Sequence, residues 1–279
     1  MELSKEQQEA LINRAQESLN LFGFEIHPFK IGWYNEHVKD VFRLPYPPDT
    51  LGLLVISTPE MFEKAFIPFV RQQGECGGIR DPIDQCVMHY FNKVKQVFTD
   101  YDIESLYDFE MHHNRRPKIL VQTVGYVSGA AYYYQKSDVT NPPWPPEKKI
   151  CGVCYHPTYG GWFGLRGVLI FKDIQCPSLE QTLPQDVVPS QEMRVNLLNR
   201  FNFHWQDWTF RDLIPVKQRY SQEQILYFST KPKDRTKLIE KIKASETLLP
   251  DNPGDVQYQD KGHSEETVET DDTNLLNGS

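Results

Sequence analysis

At 279 residues, 39% of them hydrophobic, the chain is long enough for one large domain or two small ones. The net charge of −8 sits in one place: residues 245–279 carry nine acids and one base, so the first 244 residues are neutral, which argues against a nucleic-acid partner. No run approaches the ~20 apolar residues of a membrane span, the polar N-terminal helix lacks a signal-peptide core, and the five cysteines follow no disulfide rhythm. The expectation is a cytoplasmic protein with reduced thiols and no membrane partner.

In chain order, residues 4–21 fit a helix capped by Ser4 over Gln7 and ended by Gly23. FEIHPFKIGWYN alternates like a strand, a proline-rich turn covers Leu44 to Pro48, and residues 51–57 read as a strand buried on both faces. Thr58 and Pro59 open a helix whose inner stripe is Met61, Phe62, Ala65, Phe66 and Phe69. Gly74, Gly77 and Gly78 suggest a flexible loop, Asp84 to Phe98 a second helix, and residues 103–110 a strand that delivers Asp108 near its end. A third helix is expected from Asn114 or Arg115 through KILVQTVGYVSGAAYYYQ. Gly125, Ser128, Gly129, Ala130 and Ala131 make it thin, so a sheet or a ligand can lie close. Tyr132, Tyr133 and Tyr134 cannot all face the core. Beyond a proline-laden loop at 138–149, residues 177–189 form a long connector of the kind found in lids and interfaces. Ser190 caps a helix through Leu198. In the following RFNFHWQDWTFR, seven of twelve residues are aromatic or arginine. Helices at 221–228 and 234–243 close an α+β domain over residues 1–244, and 245–279 reads as a disordered acidic tail.

The most unusual stretch is ICGVCYHPTYGGWFGLRGVLIF, residues 150–171, which reads as a hairpin turning at residues 156–161. Gly152, Gly160, Gly161 and Gly164 would let backbone approach a flat ligand, with Tyr155, Tyr159, Trp162 and Phe163 as apolar walls. Arg166, with no acid nearby in sequence, either meets an anionic partner, since an unpaired buried guanidinium is very unfavourable, or faces solvent on an edge strand. Cys151-Gly-Val-Cys154 lies in a strand, where positions three apart point to opposite faces, so it is not a thioredoxin-type pair. His112 and His113 are adjacent and diverge, without the companions of a zinc site. No phosphate loop, dinucleotide fingerprint or nucleophile elbow occurs, so any enzyme chemistry rests on a cofactor rather than on a side-chain nucleophile.

HPFKIGWYN, LGLLVISTPEMF, DPIDQC, HNRRPKILVQT, SGAAYYYQ, GVCYHPTYGGWFGLRG, FNFHWQDWTFRD and RYSQEQILYFST, spread over about residues 20–236, resemble the cobalamin-processing family known as CblC or MMACHC. The resemblance implies a flavin-nitroreductase-like α+β fold with an antiparallel-containing mixed sheet flanked by helices. It implies cobalamin bound with its base displaced, glutathione-dependent dealkylation of alkylcobalamins, and reductive decyanation of cyanocobalamin with electrons from FMN or FAD. Matched position by position, the cobalamin contacts would be Asp108, Ile119, Leu120, Val121, Gln122, Tyr133, Tyr134, Gln135, Cys154 and Leu165. Arg166, Arg211 and Arg235 would hold glutathione, with Tyr126, Gly152 and Trp162 as further cavity lining. Cobalt would be held by the corrin: the Asp-x-His-x-x-Gly signature of proteins that supply a histidine ligand is missing, and a weakly ligated cobalt is easier to reduce. The family further implies a CblD-type adaptor, methionine synthase and a ligand-linked homodimer as partners. Tyr126 stands where vertebrate members have a histidine, and the acidic tail differs from their basic, proline-rich extension. Open cobalt chemistry would also oxidise glutathione under air. A non-catalytic cobalamin chaperone and an FMN-dependent nitroreductase-like oxidoreductase are the alternatives.

Overall fold

The computed structural model describes residues 1–72 and 81–248. The expected loop at Gly74, Gly77 and Gly78 and most of the acidic tail lie outside them. Helix α1, Lys5–Asn20, starts at a capping box in which Ser4 Oγ accepts from Gln7 N and Gln7 Oε1 accepts from Ser4 N. Strand β1, Phe24–Lys30, gives way to helix α2, Ile31–His37, where a continued strand was expected. The helix wins because Ile31 and Tyr34 bury one face at i,i+3 spacing, while Gly32 packs under Pro48 and donates to its carbonyl.

Strand β2, Thr50–Ser57, is buried at every position. Leu51, Leu53 and Val55 enter one core with α1 and the helices that follow, and Leu54 and Ile56 enter another with α2. Thr58 Oγ1 then accepts from Glu60 N, and a π-helical turn, Phe62–Phe66, leads into α3, Ile67–Gln72. Asp81 caps α4, Pro82–Val97, which is followed by β3, Ile103–Tyr107.

The expected helix from residue 114 is mostly absent: residues 111–117 form a loop closed by a Met111–Pro117 bridge, with Arg115 left-handed at φ 61°. Helix α5 spans only Val121–Val127 and stops at Gly129, φ +77°, where the Thr182 carbonyl occupies the place a Cβ would take. The tyrosine run is strand β4, Tyr132–Tyr134, with Tyr134 buried and its two neighbours half-buried.

The expected hairpin is not one. Strand β5, Val153–Tyr155, pairs with β4, whereas β6, Gly164–Gln175, pairs with β2 and β3. Between them the tight His156–Gly160 bridge turns the chain, and Trp162 and Phe163 carry it from the small sheet to the large one. The large sheet runs β1-β2-β6-β3. Every pair in it is antiparallel rather than mixed, the Glu2–Gln175 bridge being an isolated parallel contact.

Ser190 caps α6, Gln191–Phe203, and Ser221 caps α7, Gln222–Ser229; α8, Thr236–Lys243, follows. The connector at 177–189 straps α5: Gln181 donates to the Val127 carbonyl and Asp186 accepts from Tyr134. Leu248 is buried, and Glu223 accepts from its amide, so packing continues just past residue 244. The described residues form an α+β fold with an antiparallel sheet between helices.

Candidate functional site

A β-bulge builds the first part of the site. Val55 faces Gly167 and Ile56 faces Leu165, so Arg166 is the extra residue of β6, and Gly167 takes φ +135° against the Leu106 carbonyl. The bulge turns Arg166 inward, where it is 5% exposed and donates from Nε to Ser57 Oγ at 2.9 Å. Asp108, just beyond the end of β3, donates its amide to the Arg166 carbonyl. Burial pushes the Asp108 carboxyl up to about 7, against the pull of the Arg166 charge.

The next elements meet beside it. Gly125 on α5 lies against Leu165 and Cys154, with 3.3 Å from its would-be Cβ to Leu165, and Cys154 Sγ is 3.7 Å from the Gln122 carbonyl. Tyr133 pairs with Cys154, and its ring covers Gly152. Gln122, Tyr133, Cys154 and Leu165 therefore converge on one region. A cleft of about 390 Å³ opens next to it, lined by Tyr133, Gln135, Gly152 and Cys151 among others. The side chains of Ile119, Val121 and Tyr134 point into the core instead, and Leu120 donates a hydrogen bond from its N–H to the buried Tyr34 hydroxyl. Tyr126 packs edge-on against Tyr132 and 6.1 Å from the His37 ring.

Arg211, 6% exposed, sits among the rings of Trp208, Phe210, Tyr220 and Trp162, 4.8–5.6 Å away. Its Nη1 donates to the Gly161 carbonyl, and its Nε is buried without a partner. Burial, with the Arg166 charge adding to it, lowers the affinity of this guanidinium for its proton. Trp162 thus belongs to the frame of Arg211, stacked on Trp208 and donating to Asp212. The third arginine, Arg235, meets Asp81 through Nη1 at 2.5 Å, donates from Nε to the Thr230 carbonyl and lies 4.9 Å from the Tyr227 ring centre, with Nη2 buried and unpartnered among the described residues.

The model of the methylmalonic aciduria and homocystinuria type C (MMACHC) family matches residues 23–239. The chain belongs to this family. Among its relatives, a chicken protein named cyanocobalamin reductase / alkylcobalamin dealkylase is 52% identical over 83% of this chain and 97% of its own. The human protein of that name is 46% identical over 85% and 83%. The crystal structure of a Caenorhabditis elegans B12-trafficking protein, CblC, superposes with a TM-score of 0.78 at 33% identity, covering 89% of this chain and all of that one.

In this MMACHC-family chain, sequence reasoning missed the groups that hold the arginines: Ser57, Asp81, Tyr155 and Tyr220. Asp81-Pro82 is readable as a helix cap, but nothing local ties it to Arg235, 154 residues away. It also missed Glu25, His27 and His156, whose ligand atoms lie within 4.8 Å of one another. Glu25 accepts from Tyr159, while His156 Nδ1 accepts from the amides of Thr158 and Tyr159. That places the ring proton on Nε2, the atom facing Glu25 at 4.0 Å, whereas a metal-bound histidine donates from its other nitrogen. The group suits proton-bearing contacts better than metal ligation. Cys86, Cys151, Cys154 and Cys176 are free thiols; Cys76 lies outside the described residues.

Proposed function

We propose that this protein strips the upper-axial ligand from cobalamin, transferring alkyl groups to glutathione and releasing cyanide reductively. The observation that carries the reading is the arginine pair. Arg166 and Arg211 are both buried: Arg166 donates to the Ser57 hydroxyl with the Asp108 carboxyl near enough to feel its charge, and Arg211 is held among the described residues by a carbonyl and aromatic rings. Two guanidiniums so placed suit a ligand with two carboxylates such as glutathione, each of which accepts a bidentate grip. Their charge would also favour its thiolate. In the dealkylation that follows, the thiolate sulfur forms a bond to the cobalt-bound alkyl carbon. The cobalt–carbon bond breaks with its electron pair left on cobalt, giving a thioether and Co(I).

On the corrin side, Gln122, Tyr133, Cys154 and Leu165 support a flat ligand resting on the thin face of α5. Asp108, Leu120 and Gln135 border it by resemblance, and Ile119, Val121 and Tyr134 would meet it through backbone. For decyanation a reduced flavin supplies electrons. The nitroreductase-like fold, the CblD-type adaptor, methionine synthase, ligand-linked dimerisation and the cytoplasmic location rest on the family resemblance.

The test is an anaerobic absorbance titration with methylcobalamin followed by glutathione. A base-off shift, then a Co(I) or Co(II) spectrum with S-methylglutathione formed, is the expected result. Base-off binding without conversion would leave a carrier, and no shift would end the reading.

A further inference from the structure

We propose that Tyr155 is a positioning residue that locks the Arg211 turn onto the strand carrying Cys154; the inference rests on the glutathione reading of Arg211. Successive residues of β5 face opposite ways. Cys154 points to α5, and Tyr155 points into the cluster containing Phe210. The Tyr155 hydroxyl is fully buried, donates to the Arg211 carbonyl at 2.9 Å and accepts from the Leu213 amide at 2.7 Å. Gly161 donates its amide to the same carbonyl at 3.1 Å. Gly160, φ +58°, approaches so closely that a Cβ there would lie 2.4 Å from it. The guanidinium in turn donates to the Gly161 carbonyl, so main chain and side chain of Arg211 are both tied to residues 155–161.

The turn needs this anchorage. Thr209–Asp212 is a single 3₁₀ turn, entered through Trp208 at φ 64°; Asp207 Oδ1 accepts from its first amide, while the carbonyl of Arg211 is bonded from outside. Asp207 holds its start, and the bonds to the Arg211 carbonyl from Tyr155 and Gly161 hold its far side. Because the bonds come from β5 and the turn after it, the guanidinium is placed relative to the strand that borders the proposed corrin site. A mis-set turn would then loosen the grip on glutathione while leaving the corrin side undisturbed.

Tyr155→Phe keeps the ring and removes one donor and one acceptor from a buried pair. Calorimetric titration with glutathione should show Kd raised about tenfold, with KM for glutathione following it, kcat within about twofold, and methylcobalamin affinity and base-off spectrum unchanged. Gly160→Ala presses on the same carbonyl from the other side and should raise Kd in the same direction, which keeps the test open should Tyr155→Phe unfold. Trp144→Phe, which loses a bond to Asn199 in the same cluster, should lower Tm and leave the glutathione Kd alone. If Arg211→Ala weakens glutathione but the Tyr155 and Gly160 variants bind it like the parent, the positioning role is overturned. If Arg211→Ala itself leaves glutathione binding intact, the parent reading fails and this one with it.

Discussion

Arg211 and Arg235 are both buried beside aromatic rings, each with one nitrogen unpartnered among the described residues, and they differ in what answers the charge. Arg235 has a carboxylate, Asp81, which also accepts from Ile83 N and so caps α4. Arg211 has aromatic faces and a carbonyl, with a second guanidinium, Arg166, near enough to depress it. The first charge is neutralised inside the fold and serves to join α4 to α8. The second stays positive and without a counter-ion among the described residues, which is the condition for an anion site. Of the two, Arg211 is the one whose charge no carboxylate answers among the described residues.

Removing the acid should therefore have the largest effect. Asp81→Ala leaves Arg235 buried and unpaired and uncaps α4, and should lower unfolding free energy by about 3–5 kcal/mol in urea titrations. Asp81→Ser should recover about 1 kcal/mol by restoring the cap. Next comes the converse. Arg211→Met should leave stability unchanged or raise it by about 1 kcal/mol, because it removes an uncompensated charge from among four rings, while glutathione Kd rises by about a hundredfold. A stability loss at Arg211→Met as large as at Asp81→Ala would break the contrast.

Acid should act on the turn that grips Arg211. The turn that grips Arg211 begins at His156, whose Nδ1 accepts the amides of Thr158 and Tyr159. Burial lowers the His156 pKa to about 4 from 6.5. Because the folded value lies below the unfolded one, the unfolded chain takes up a proton first, and stability is lost as pH falls through that window, by about 2 kcal/mol at pH 5. Asp108 works in the same window with the opposite sign, since its raised pKa of about 7 makes its charged form unfavourable as pH rises. The measurement is thus the difference in Tm between pH 7 and pH 5 for His156→Asn and the parent protein. Relative to the parent, the variant's Tm should shift upward on going from pH 7 to pH 5; equal changes in the two proteins would remove His156 as a contributor.

The same contrast explains what was legible in the sequence. Helices α1, α4, α6 and α7 and strand β2 carry their own instructions, through capping residues and apolar periodicity, and they stand close to where the residues place them. The stretches that misled are decided by distant partners. IGWYN becomes helical under Pro48, the helix after Pro117 is cut short by left-handed Arg115 and by Thr182 over Gly129, and β5 leaves β6 to pair with the tyrosine strand. Arg166 was conspicuous because no acid stood near it. That it lies in a bulge depends on β2 skipping one residue across the sheet, a fact of register that no local pattern records.

The smallest effect separates burial from charge at a single atom. Asp212 Oδ1 accepts from Trp162 Nε1 and from Arg219 Nε, both at 2.8 Å. Distance alone would rank the two alike, and formal charge would favour the arginine. Arg219, however, has a side chain 60% exposed, so its ion pair is screened and must hold a long side chain still, while Trp162 is 3% exposed and stacked on Trp208. Arg219→Ala should then change stability by no more than about 0.5 kcal/mol and leave glutathione Kd unmoved. Trp162→Phe should lower stability by about 1–3 kcal/mol, since the Asp212 bond and part of the ring packing go together. Were Arg219→Ala the more damaging of the two, a surface charge would be steadying the Arg211 turn, and the distinction between the two buried arginines would need an outer partner as well as an inner one.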